Sequence, residues 1–233
     1  MRRIFTIAMI LIVITSFSSC NKVTTNEINN NNDIKKIETE NSTDDDSSGN
    51  VMYDYRSYEE LKNSDWYKQM LNKNSFKEIM EQNNFIIQTQ TDEQYPERVE
   101  LLYAEKNGEN NKYDSAIFVN SLSNEAAATL LGQMESGFLD ENAEAGTLLY
   151  DYMDLKNRFS CSKIEYTDNN YIINILINNI YLCAASKEGE AGCIKTLKLL
   201  GYDKYIPEEK EFRVYKKVNG DPDFQLVQDN KKN

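Results

Sequence analysis

Between residues 159 and 186 three apolar, β-branched segments follow one another with almost no chain between them. They run over 159–167, 171–177 and 180–186, separated only by Asp168-Asn169-Asn170 and Asn178-Asn179. Connections of two or three residues rich in Asn and Asp are tight turns, and strands joined by tight turns must pair antiparallel. A three-stranded antiparallel arrangement is therefore expected here. Similar strand signals recur at Phe85-Ile86-Ile87-Gln88-Thr89-Gln90, over 98–106 and over 115–121, the last two joined by the turn-rich Asn107-Gly108-Glu109-Asn110-Asn111. After Pro207, Phe212 to Lys216 alternates and predicts an edge strand, with Lys216 and Lys217 discouraging edge-to-edge pairing.

Helix signals lie between these strands. Ser57 with Glu60, and Ser75 with Glu78, have the spacing of a capping box and predict helix starts. Phe76, Ile79 and Met80 then form one apolar face. Ala127, Leu130, Leu131 and Met134 fall at i, i+3, i+4 and i+7, a helix expected to end near Gly137. Leu148, Leu149, Tyr152 and Leu155 predict another helix, and a closing one carries Ala191, Ile194 and Leu197 and stops at Gly201. The expected class is α+β, an antiparallel sheet or sheets with helices on one face. Two units, 75–138 and 147–202, both read as αβββα. Glu125-Ala126 and Gly137-Phe138 in the first match Glu190-Ala191 and Gly201-Tyr202 in the second at nearly equal separations, which suggests an internal duplication.

Composition limits how much of the 233 residues can fold. Hydrophobic residues make up 40% and aromatics 11%, including 15 Tyr, enough for a packed centre. Residues 21–50, however, hold almost nothing to bury; Asn29-Asn30-Asn31-Asn32 and Asp44-Asp45-Asp46-Ser47-Ser48-Gly49 are typical of a tether that cannot offset its ordering entropy. The tail over 229–233 is expected to fray. A single α+β domain over 51–228 remains.

Residues 1–20 carry an address. Arg2 and Arg3 precede an apolar run from Ile4 to Ile14, then small polar residues lead to Cys20. The run has about eleven residues, short of the roughly twenty that span a bilayer, and reads as a secretory signal. At Phe17-Ser18-Ser19-Cys20 the segment resembles the lipobox of bacterial lipoproteins. The resemblance covers these twenty residues only. It implies removal of 1–19, lipidation of Cys20 by palmitate-like acyl chains, and a cell-envelope protein held outside the cytoplasm at a membrane, with 20–50 as its tether.

The chain contains no histidine. That excludes Ser-His-Asp and Cys-His catalysis, the HExxH helix and His-containing zinc sites. A formal charge of −12 opposes nucleic acid as a partner. No glycine-rich phosphate loop is present, and no cofactor, metal or catalytic set is expected. Ser160-Cys161-Ser162-Lys163 has the SxxK spacing of penicillin-binding enzymes, but in a predicted strand its two ends would not meet. The acids from Asp140 to Asp151 imitate a calcium loop whose glycine, Gly146, is displaced by one position. Of three cysteines beyond Cys20, Cys183 and Cys193 lie on a predicted strand and the next helix and are the candidate disulfide; the alternative is that all three are buried small hydrophobes.

Trp66 and Tyr67, with Tyr58 and Tyr55, are the best candidates for contacting a partner, since rigid amphipathic rings carry interface energy at low entropy cost. The same rings could instead lock the N-terminal helices onto the sheet. The expected function is a non-catalytic binding or interaction module for an envelope protein or glycan. A carboxylate-dependent glycan hydrolase, which needs no histidine, and a structural or assembly factor of a membrane complex are the alternatives.

Overall fold

The computed structural model describes residues 54–107, 113–220 and 223–229. The signal segment, Cys20, the tether, most of the turn after Asn107 and residues 230–233 lie outside the described residues. Three short helices come first: α1 (Tyr58–Asn63), α2 (Asp65–Gln69) and α3 (Lys73–Gln82). Then follow β1 (Ile86–Gln90), β2 (Arg98–Asn107), β3 (Tyr113–Ser121), helix α4 (Asn124–Asn142), β4 (Leu148–Asp154), β5 (Phe159–Glu165), β6 (Tyr171–Ile177), β7 (Ile180–Ser186), helix α5 (Glu190–Leu199), β8 (Arg213–Lys217) and β9 (Phe224–Asp229). All strands join one antiparallel sheet in the order β1-β2-β3-β7-β6-β5-β4-β8-β9. Among the described residues, no helix is long and apolar enough to cross a membrane.

The sheet has two buried sides. On the front, Leu102, Ala116, Phe118, Leu182, Ile173, Ile175 and Cys161 pack with Phe76 and Met80 of α3 and with Cys193 and Leu197 of α5. Phe76 stacks on Phe118 at 5.3 Å between ring centres. On the back, Ile117, Val119, Tyr181 and Cys183 lie under α4, whose Ala127, Leu130, Leu131 and Met134 are buried against β3, β6 and β7. The expectation of helices on one face is thus corrected. The central strands β3, β6 and β7 are buried at nearly every position, so no solvent-facing period-two alternation is left and both faces need a cover.

The meander over 159–186 stands as expected, with Asn169 (φ 68°) and Asn178 (φ 51°) taking the left-handed conformations that tight turns require. It abuts a second meander, β1-β2-β3, through β3 and β7. The units 75–138 and 147–202 share the meander and the helix after it. They differ in what precedes the meander and in the face that the following helix covers. The helix expected at 148–155 is strand β4. Its Tyr150 and Tyr152 alternate onto Phe212, at 6.2 and 6.3 Å, while Leu155 sits exposed in the turn, so the period-two pattern of the tyrosines outweighs the helical spacing of the leucines.

Other boundaries shift for local reasons. Asn72, not Ser75, caps α3: its Oδ1 accepts from the Asn74 and Ser75 amides at 3.1 and 3.2 Å, and Ser75 Oγ accepts the Asn72 amide at 3.0 Å. Helix α4 runs through Gly137 to Asn142: Gly137 is buried, Phe138 and Leu139 are half-buried, and one interior glycine costs only about 1 kcal/mol. Gly201 (φ 74°) does end its helix, with the Tyr202 amide donating back to Leu197 O at 2.9 Å. Finally, β8 is not an edge. Strand β9, unmarked by alternation, pairs outside it and includes Asp229, which faces Arg213 across the ladder rather than fraying.

Candidate functional site

The aromatic residues singled out at the N-terminus do come together, but around an acid rather than around open space. Glu100, on the front of β2, is 2% exposed. Its Oε1 accepts from Tyr58 Oη at 2.5 Å and Tyr67 Oη at 2.7 Å. Its Oε2 accepts from the Lys73 amide at the first position of α3, 3.2 Å, and from Asn120 Nδ2, 3.3 Å. Four donors thus meet one carboxylate, with a helix N-terminus among them. Burial and the bond to Glu100 push the Tyr58 hydroxyl up to about 12, and Tyr67 is raised further for the same reasons. Trp66 packs against the core, and Tyr55 stacks on it at 6.4 Å. All four rings are half-buried, and they hold α1 and α2 on the sheet.

Cys161, Cys183 and Cys193 are free and buried, so the Cys183–Cys193 disulfide is corrected. Cys183 faces the back of β7, whereas α5 lies on the front, where Cys193 Sγ donates to Tyr171 O at 3.2 Å. The sheet stands between them. Burial pushes the Cys161 and Cys183 thiols up to about 12, and the Cys193 thiol is also raised, so none is poised as a thiolate. Ser160 and Lys163 likewise point to opposite faces. Lys163 pairs on the front with Glu190 at 2.6 Å and lies over the Phe212 ring, while Ser160 is on the back. Of the imagined calcium loop, the Asp140 and Glu141 side chains lie outside the described residues, and Asp151 is in β4. Among the described residues no group of three or more metal-ligating side chains forms.

The back of the sheet carries what the sequence did not mark. Register places Asn174, Ser162, Asp151, Arg213 and Asp229 in one row across β6, β5, β4, β8 and β9. Its inner end is sealed under α4. There Tyr181 Oη donates to Asn174 Oδ1 at 2.9 Å, Asn174 Nδ2 donates to Ser162 Oγ at 3.1 Å, and Ser162 donates to Glu135 of α4. Burial pushes the Glu135 carboxyl up to about 7; the Ser162 bond opposes this shift and the charge on Asp151 adds to it. At the outer end Arg213 Nε stands 3.8 Å from Asp229. Beside this polar row runs an apolar one, Leu149, Tyr215 and Leu226. Leu226 is 50% exposed, Met153 on the same face 47%, and both Leu149 and Tyr215 are half-buried. Helix α4 covers β3, β6 and β7, and among the described residues no helix packs broadly over the back of β4, β8 and β9.

Neither Glu100 nor Glu135 was foreseeable from its own neighbours in sequence. Glu100 stands beside the apolar Leu101, which faces the other side of the sheet, and Glu135 follows Met134 on the stripe edge of α4; neither pattern separates a buried acid from a solvated one. No known protein family, curated protein or solved structure matches the chain.

Proposed function

We propose that the chain is a cell-envelope lipoprotein, anchored through lipidated Cys20 and a tether over 20–50, whose folded domain binds a partner protein or other envelope component without catalysis. The carrying observation is the open back of β4, β8 and β9. Leu149, Tyr215, Leu226 and Met153 supply an apolar and aromatic centre there, and Asp151, Arg213 and Asp229 a charged margin. An apolar centre with a polar rim is the usual anatomy of a protein interface. The rings at Tyr55, Tyr58, Trp66 and Tyr67 are largely engaged within the domain and offer less free surface. Against hydrolysis stands the position of Glu135: it is the carboxyl with the properties of a general acid, yet α4 roofs it and Ser162 holds it, whereas a glycosidase pair must face a sugar in an open cleft.

Two measurements test the reading. Leu226→Glu combined with Met153→Glu alters exposed positions, so stability should change by only about 0.5 kcal/mol per site. Recovery of envelope partners on the tethered protein is expected to fall at least about tenfold, equivalent to ~1.4 kcal/mol; equal recovery by the variant counts against the open face. Separately, Cys20→Ala should move the protein from the membrane to the soluble envelope fraction, since two or more acyl chains are what make anchoring stable. Unchanged partition would refute the anchor.

A further inference from the structure

We propose that Glu135 is a proton-controlled joint between α4 and the sheet, seating the second half of the helix when protonated and loosening it when ionised. This goes beyond the binding reading and does not depend on it. The geometry is a one-way chain of donors. Tyr181 gives its proton to Asn174, Asn174 gives one to Ser162, and Ser162, whose oxygen is already an acceptor, turns its own proton to Glu135. The chain therefore ends on a single carboxyl at the underside of α4.

Every element around that carboxyl contributes neutral or acidic groups except one. From β5 it meets Ser162; Ser160 of β5 and Asn174 of β6 share the same face of the sheet, and none of the three titrates. From β7 the Tyr181 hydroxyl feels its charge and Cys183 lies on the same face; both are raised by burial and neutral across the physiological range. From β4 it meets Asp151. The only cation in the row, Arg213 of β8, lies beyond Asp151, and among the described residues no cation pairs with Glu135. Ionised Glu135 thus has one hydrogen bond and an acidic neighbour to set against its lost hydration. Water entering between α4 and β5 relieves that state. The protonated carboxyl keeps the Ser162 bond through its carbonyl oxygen without the charge.

The sign follows from the raised proton affinity. With the folded group titrating near 7 and the unfolded group near 4.5, the seated state holds its proton more tightly. Its stabilisation is full below about 4.5 and is lost as pH rises through about 7.

Hydrogen exchange on the full chain, corrected for the intrinsic pH dependence of exchange, reads this directly. Protection over 131–142 is expected to fall about tenfold between pH 5.5 and 8, while α5 on the other face stays unchanged. Glu135→Gln, which keeps an acceptor for Ser162, should abolish the step. Ser162→Ala removes a donor that favours the carboxylate and should move the midpoint upward. A pH-independent α4 in the wild type, a step that survives Glu135→Gln, or a midpoint unmoved by Ser162→Ala would each overturn the proposal.

Discussion

Replacing Glu100 by alanine is expected to cost about 3–5 kcal/mol of stability and to free the first helices before the sheet unfolds. The carboxylate is 2% exposed and collects Tyr58, Tyr67, the Lys73 amide and Asn120. Without it four donors face a buried space, and each buried unsatisfied donor costs roughly 1–3 kcal/mol before relaxation. Relaxation is cheapest at the N-terminus. The turns α1 and α2 are six and five residues long, too short to persist alone, and of their residues only Leu61 is fully buried. Loss is therefore local first. Limited proteolysis should show new cleavage within 54–72, and urea unfolding should show a lowered midpoint. Glu100→Gln separates charge from shape: its amide oxygen can still accept from the tyrosines, while its NH2 opposes the Lys73 and Asn120 donors, so an intermediate loss of about 1–2 kcal/mol is expected. Wild-type cleavage and midpoint in Glu100→Ala would show that the aromatic residues, not the acid, hold these helices.

That network also explains why the aromatic residues at 55–67 were legible as a cluster, with a lock on the sheet as one of its two readings, while the acid that closes the lock was not. Spacing on short helices brings the rings near one another; the acid that organises them lies 33 residues beyond Tyr67, in a strand that reads as core. The same division runs through the molecule. Interactions local in sequence were readable: the turns at Asn169 and Asn178, the cap at Ser57, whose Oγ accepts the Glu60 amide at 3.2 Å, and the glycine stop at Gly201. Interactions decided across the sheet were not. Leu148 to Leu155 carries both a helical spacing and a strand alternation, and its pairing with β5 and β8, with Phe212 against Tyr150 and Tyr152, selects the strand. Cys183 and Cys193 are ten residues apart on consecutive elements, yet α5 returns to the front while Cys183 faces back. Which face a helix covers depends on the whole sheet's apolar demand, and a chain with buried residues on both sides of β3, β6 and β7 needs a helix on each.

The second helix of the front layer is held by the absence of a side chain. Gly192, in the first turn of α5, approaches β7 so closely that a Cβ there would stand 2.0 Å from Ser186 Oγ, 2.7 Å from Ser186 Cβ and 3.1 Å from Glu188 Cβ. Rotating the serine does not help, because its Cβ moves with the strand backbone. Its hydroxyl is also committed, donating to Asp114 Oδ1 at 2.6 Å and accepting the Glu188 amide at 3.0 Å. Gly192→Ala must therefore lift the start of α5, pulling at the Lys163–Glu190 pair and the Cys193 bond to Tyr171. The better helix propensity of alanine returns at most about 1 kcal/mol, whereas forced overpacking costs about 1–3 and more when backbone must move. A net loss of about 2 kcal/mol is expected, read as a lower urea midpoint. Gly132→Ala gives the opposite sign in the same protein: that glycine is on the exposed side of α4 with open space where the Cβ would go, and a gain of about 0.5–1 kcal/mol is expected. Adding Ser186→Gly to Gly192→Ala removes both nearest atoms and should recover part of the loss. If Gly192→Ala alone leaves the midpoint unchanged, α5 does not pack on β7 through this contact, and the front layer is held by Cys193 and Leu197 instead.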